Sequence, residues 1–267
     1  MGNRTQATDP VGRVTDFQFD ESGRVKKTML PDPDDTGPLP RPEVLYGYDK
    51  SGNLRMVTNL EGDSVVYGYG GDSELVSVTV PIDETHAALT WYGYDDRLQL
   101  TSVRDALGNS TNYAFDSLGR LTGVTDALGK ETSYAFDIAD RLIQRTDARG
   151  LKTRYTYQKV EDPLDSSAEV ETDRLERTEY LDSSGNVAEA LVNSYDRLGR
   201  RTSVIFQKAG QTNQAVEEVV YDLASRPTRI KNCCGKAHEY DFDIVGNRTG
   251  YRFYREWTDG QTDPVTW

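Results

Sequence analysis

Cysteine is nearly absent: two residues among 267, adjacent as Cys233-Cys234, so no disulfide framework can staple this chain. Apolar side chains are scarce too. They make up 36% of the chain, below the roughly 45–50% usual for globular domains even with glycine counted separately. No run of 18 apolar residues exists to span a membrane as a helix. The opening Met1-Gly2-Asn3-Arg4-Thr5 lacks the apolar core of a signal peptide. Basic residues are in deficit, 31 against 44 acidic for a net charge of -13, and form no stripe. That excludes nucleic acid as a partner, because gripping phosphates needs clustered Lys and Arg. Aromatics and glycine are plentiful instead, with 16 Tyr, 7 Phe, 3 Trp and 23 Gly. The combination points to a turn-rich β protein with short, half-buried strands.

The aromatics recur with a fixed period. Tyr92-Gly-Tyr94-Asp95, Tyr113-Ala-Phe115-Asp116 and Tyr134-Ala-Phe136-Asp137 follow one another at 21-residue steps, and the same step reaches Tyr155-Thr-Tyr157. Tyr46-Gly-Tyr48-Asp49 and Tyr67-Gly-Tyr69-Gly70 are 21 apart, as are Tyr221-Asp222 and Phe242-Asp243, the last preceded by Tyr240. Looser copies lie at Phe17-Gln-Phe19-Asp20 and Tyr195-Asp196, which brings the count to ten units.

Each unit holds two turn signals. One follows the aromatic pair, as in Asp49-Lys-Ser-Gly52, Asp116-Ser-Leu-Gly119 and Asp196-Arg-Leu-Gly199, with further copies starting at Asp95, Asp137, Asp222 and Asp243, the last ending at Gly246. The other comes half a period later, as in Asp105-Ala-Leu-Gly108 and Asp126-Ala-Leu-Gly129. Asp at the first place of such a turn caps backbone N–H groups, and Gly at the fourth accepts a positive φ cheaply. The segments between, such as Arg120-Leu-Thr-Gly-Val-Thr, read as alternating strands. A unit is therefore a hairpin. The first and third residues of each aromatic triplet share a face, and aligned rings on neighbouring strands would add roughly 0.2–1 kcal/mol per pair. No hairpin buries that face alone, so neighbours must supply stability.

The stretch Tyr113 to Gly129, Tyr-x-Phe-Asp-x-x-Gly-Arg-Leu-Thr-x-Val-Thr-Asp-Ala-Leu-Gly, resembles the tyrosine-aspartate (YD), or RHS, repeat family, known from bacterial RHS and polymorphic toxins, the Tc-toxin cocoon and the teneurins. The resemblance implies an all-β fold of repetitive antiparallel hairpins in a spiralling, curved sheet, here part of an open shell. It implies a structural, non-catalytic role in enclosing or presenting a toxin or other effector domain, outside the cell or at its surface, within a longer protein. The partners implied are further repeats or an effector domain of the same or a neighbouring polypeptide. An adhesive or carbohydrate-binding module, with glycans as partners of an exposed aromatic row, is the alternative. No cofactor and no metal is implied. The whole chain, 1–267, is expected to form one repeat domain that starts inside a repeat, since Gly2 and Gly23 stand one period apart. Relatives with many more repeats make a segment of a longer protein the expectation, and open strand edges predict association beyond 29.9 kDa.

Asp-Pro-x-Gly-Leu, a self-cleavage region in many RHS shells, is not reproduced. Asp9-Pro10-Val11-Gly12 is followed by Arg13 and reads as a type I turn, and Asp263-Pro264 is followed by Val-Thr. Insertions near 31–42, with five prolines, and 158–193 are expected as loops, the second including a degenerate hairpin turning at Asp182-Ser-Ser-Gly185-Asn186. Adjacent Cys233 and Cys234 lack ordinary tetrahedral chelate spacing, and with His238 still lack a fourth ligand. They read as reduced thiols in a turn. The many Asp residues resemble glycosidase carboxylates only in number, since each has a turn to cap.

Overall fold

Short polar turns between strands of five or six residues leave the chain one economical course, up and down between sequence neighbours. The computed structural model describes residues 4–34, 37, 39–161 and 169–255. All its regular structure is β, and no helix occurs among the described residues. The chain divides into two compact units, Met1–Gly129 and Lys130–Trp267.

In the first unit the strands are β1 (Gln6–Thr8), β2 (Val14–Phe19), β3 (Val25–Met29), β4 (Glu43–Tyr48), β5 (Leu54–Thr58), β6 (Ser64–Tyr69), β7 (Leu75–Pro81), β8 (Ala87–Tyr94), β9 (Leu100–Arg104), β10 (Ser110–Phe115) and β11 (Leu121–Thr125). Every strand pairs antiparallel with its successor, from β1–β2 through to β10–β11. The second unit comprises β12 (Glu131–Phe136), β13 (Leu142–Thr146), β14 (Lys152–Glu161), β15 (Glu169–Leu181), β16 (Val187–Tyr195), β17 (Arg201–Lys208), β18 (Gln214–Tyr221), β19 (Pro227–Asn232), β20 (Ala237–Phe242) and β21 (Arg248–Tyr254). It follows the same rule from β12–β13 to β20–β21. Ten hairpins therefore begin on a strand that carries the aromatic triplet or its variant, five in each unit.

No large side chain is fully buried among the described residues. Residues under a tenth exposed are few, among them Leu181, Ala190, Val204, Ala237 and Tyr254.

The 158–193 insertion departs from the expected loop. β14 and β15 continue the hairpin past the aromatic pair, with Lys159 opposite Glu171, Val160 opposite Val170 and Glu161 opposite Glu169. Lys159 Nζ lies 3.7 Å from Glu171. Cross-strand charge pairing lets these polar residues form strand where composition suggested loop. Asp182 to Asn186 forms the turn into β16, as expected. The 31–42 segment is pinned at its end, since the Arg41 guanidinium donates to the carbonyls of Leu30 (2.9 Å), Val14 (2.9 Å) and Met29 (3.2 Å). Residues 162–168, the register of Gly2 and the Asp263-Pro264 pair lie outside the described residues.

Candidate functional site: the repeat turn and its aromatic pair

The turn after the aromatic pair is built around a carboxylate. In the β10–β11 hairpin, Asp116 Oδ1 accepts the N–H groups of Leu118 (2.9 Å) and Arg120 (3.0 Å). Its backbone N–H donates to the Arg120 carbonyl and its own carbonyl accepts from Gly119, both at 3.0 Å. Gly119 takes φ +84°. This is a three-residue hairpin loop, a type I turn closed by a left-handed residue. Asp49, Asp95, Asp137, Asp196, Asp222 and Asp243 stand in the same place, each giving its carbonyl to the residue three ahead. Gly52, Gly199 and Gly246 take φ between +81° and +100°. Where glycine is missing the backbone keeps the geometry, with Ser73, Leu98, Asp140 and Ser225 at φ 60–65°.

Aspartate does more than cap. Its second oxygen holds the Nε of the arginine just past the turn, at 2.6–2.7 Å for Asp20–Arg24, Asp116–Arg120, Asp137–Arg141, Asp196–Arg200 and Asp222–Arg226. Held this way, Arg24, Arg141, Arg200 and Arg226 lie over the rings of Tyr48, Tyr157, Tyr221 and Phe242 on the following hairpin, 4.4–4.7 Å from the ring centre. Arg200 and Arg226 also donate to the carbonyls of Asp222 (2.8 Å) and Asp243 (3.0 Å), the first residues of the next turn. Gln99, which replaces arginine, still donates to the Gly119 carbonyl at 3.1 Å. The carboxyls of Asp20, Asp116 and Asp222 titrate below their ordinary 3.8, first because the arginine backbone N–H binds the anion, with the guanidinium bond adding to it.

In all ten hairpins the register slips by one residue at the second aromatic position. Phe115 faces Leu121 and Ala114 faces Gly123, so Thr122 has no partner opposite. This is a β-bulge on the strand leaving the turn. It corrects the reading of Arg120 to Thr125 as a regular alternating strand. Leu121 and Val124, three positions apart, could not share a face without it; with it, Leu121 faces Phe115 and Val124 faces Tyr113. The pairs Tyr46–Val57, Tyr48–Leu54, Tyr67–Val78, Tyr69–Leu75, Tyr92–Val103 and Tyr94–Leu100 repeat this arrangement.

Phe17, Phe19, Tyr46, Tyr48, Tyr67, Tyr69, Tyr92, Tyr94, Tyr113, Phe115, Tyr134, Phe136, Tyr155, Tyr157, Tyr195, Tyr221, Tyr240 and Phe242 are all half-buried. Directly opposite the ring stands an aliphatic side chain in most hairpins, not the second ring that aligned aromatics predict. At β20–β21 rings do meet, Tyr240 and Tyr251 lying 5.6 Å apart. Elsewhere the contact between hairpins runs through hydroxyl and guanidinium. The second tyrosine donates to the carbonyl of the residue just before the unpaired bulge position one hairpin back, the one that faces that hairpin's own second aromatic: Tyr48 to Val25 (2.9 Å), Tyr69 to Leu54 (3.0 Å), Tyr94 to Leu75 (2.9 Å), Tyr157 to Leu142 (3.0 Å), Tyr195 to Leu175 (2.8 Å) and Tyr221 to Arg201 (3.0 Å). Burial raises the hydroxyl pKa of Tyr69 and Tyr157. Sequence reasoning missed the arginine clamp, although Asp-x-x-Gly-Arg recurs within the chain.

The arrangement is suited to holding hairpins together. One recess, of about 440 Å³, is lined by Asp95, Asp96, Gln99, Phe115 and Asp116 among others. Asp95 and Asp116 each already receive two turn N–H groups. His86 sits in an exposed turn, bonded to Asp83, whose carboxyl is lowered to about 2 chiefly by the Thr85 N–H and then the imidazole. Asn109, in the triplet Asn109-Ser-Thr111, spends its amide on Asp105 at 2.8 Å. Asp9 to Gly12 forms the expected turn, Gly12 donating to the Asp9 carbonyl at 3.0 Å.

The RHS repeat family model matches residues 94–131 and 115–152. No curated protein matches the chain. Among solved structures, a TcdB2-TccC3-Cdc42 crystal structure is 15% identical with a TM-score of 0.48, covering 93% of this chain and 18% of that one. The Photorhabdus luminescens Tc holotoxin pore gives 15%, 0.46 and the same two coverages. A porin-like protein from Bacteroides uniformis gives 13% and 0.30, covering 76% of this chain and 86% of its own. The chain thus spans under a fifth of the length of these Tc-toxin structures.

Proposed function

Since residues 94–152 of this chain are RHS repeats, we propose that the chain is a non-catalytic wall segment, serving outside the cell or at its surface to enclose or present an effector domain of the same or a neighbouring polypeptide. The observation that carries the reading is that one bulged hairpin is used ten times, with an aspartate at the turn in eight of them and a tyrosine hydroxyl tying six of them to the hairpin before. A unit that depends on its neighbours for burial is material for an extended surface. The aspartates that begin the turns are occupied in holding them.

The role of the named residues follows from the same geometry. The aromatics and the turn Asp and Gly residues act as spacers and fasteners, and 1–267 serves as a single repeat domain in the larger assembly. Limited proteolysis of the native polypeptide that contains this chain tests the proposal. Sequence next to the repeats is expected to resist cleavage until urea opens the wall. Equal cleavage rates in native buffer and in urea would overturn the reading.

A further inference from the structure

We propose that Cys233 and Cys234 form a vicinal dithiol site for monosubstituted trivalent arsenicals, soft electrophiles that need two sulfur ligands and no more. The turn that carries them is the same Asx turn used throughout the molecule. Asn232 Oδ1 accepts the N–H groups of Cys234 and Lys236, both at 3.1 Å, and Gly235 donates to the Asn232 carbonyl at 3.1 Å with φ +73°. Nothing in this turn asks for sulfur. The two middle places are Ala106-Leu107, Ala148-Arg149 and Ser183-Ser184 in the equivalent turns.

Both thiols are exposed, with the sulfurs 3.6 Å apart. That exceeds the roughly 2.05 Å of a disulfide. It suits a single bridging atom: at the ~2.3 Å distance typical of a soft ion on thiolate, sulfurs 3.6 Å apart subtend about 103°, close to tetrahedral. What remains missing is a third protein ligand. His238, the nearest histidine in sequence, bonds the Tyr251 hydroxyl at 2.9 Å and lies against the rings of Tyr251 and Phe253. Among the described residues no cluster of three ligating side chains exists. Ions that need three or four protein ligands therefore fit poorly, whereas an organoarsenic dihydroxide has two places to exchange. Two As–O bonds break and two As–S bonds form; each thiol proton leaves with a hydroxyl as water, and nothing is oxidised or reduced.

The test uses the full chain, reduced and freed of reductant, titrated with phenylarsine oxide and read by intact mass and by loss of free thiols. One arsenic per chain is expected, with both thiols consumed together. The adduct should be removed by a 1,2-dithiol and resist a monothiol at the same thiol concentration. Cys233→Ser and Cys234→Ser should each weaken retention at least tenfold while the far-UV spectrum stays that of the parent. Retention by either single-serine variant equal to the parent, release by the monothiol as readily as by the dithiol, or no adduct on the reduced chain would each overturn the proposal.

Discussion

Replacing Tyr69 by Phe deletes one oxygen and leaves a ring of the same shape in the same half-buried place. The lost bond is that from the hydroxyl to the Leu54 carbonyl, at 3.0 Å. A neutral bond of this kind contributes roughly 0.5–1.5 kcal/mol net, and the carbonyl left at the bulge adds to the cost only so far as water cannot reach it. About 1 kcal/mol is therefore expected, equivalent to roughly 2–4 °C in melting temperature for a chain of this size. Tyr48→Phe and Tyr94→Phe should behave alike, since their bonds measure 2.9 Å. The three hydroxyls sit on successive aromatic strands, each two strand spacings or about 10 Å from the next, so the losses should add to about 3 kcal/mol. The converse substitution is sharper. Phe115 stands where these tyrosines stand, one hairpin beyond Leu100, so Phe115→Tyr should find the Leu100 carbonyl and gain up to about 1 kcal/mol. Urea unfolding followed by far-UV circular dichroism measures all of these. The reasoning fails if the triple variant unfolds at the parent's midpoint, or if Phe115→Tyr is destabilising.

Other expectations concern the turns. Gly150 has φ +83° and open space where a Cβ would stand. Gly150→Ala should thus cost about 0.5–1.5 kcal/mol from backbone conformation alone, less for Gly150→Asn, and equal midpoints for alanine and parent would contradict this. Acid should loosen the turns. The carboxyls of Asp20, Asp116 and Asp222 lie below 3.8 in the fold, so they favour folding fully above the unfolded value and lose that contribution as pH falls through the lower folded values. The urea midpoint, as far as these groups set it, should hold from neutrality to about pH 5 and decline below about pH 4. A midpoint that rises on acidification through that range would refute the assignment.

Much of this was readable in the residues. The recurring aromatic triplet, often at a 21-residue step, located the ten hairpins, and Asp-x-x-Gly located many of the turns, because a carboxylate cap and a left-handed fourth residue are local demands that few side chains meet. The bulge was visible and went unread. Leu121 and Val124 are three apart inside a strand, a spacing that alternation forbids unless one residue is extra. The hydroxyl bond left a fainter trace, since Tyr and Phe both fill the second aromatic place and only neighbouring geometry separates them. The β14–β15 extension was hidden because its strands are largely charged, and what stabilises them is the partner across the ladder.

The most direct test removes one whole period. Excising Tyr92 to Asn112, 21 residues, joins Trp91 to Tyr113 and restores the aromatic triplet in register. Excising only Tyr92 to Ser102, 11 residues, breaks it by half a hairpin. If interchangeable, interlocked hairpins are what fold, the first deletion keeps the parent's far-UV signal per residue and a cooperative urea transition, and the second loses both. Equal damage from the two deletions would contradict the account.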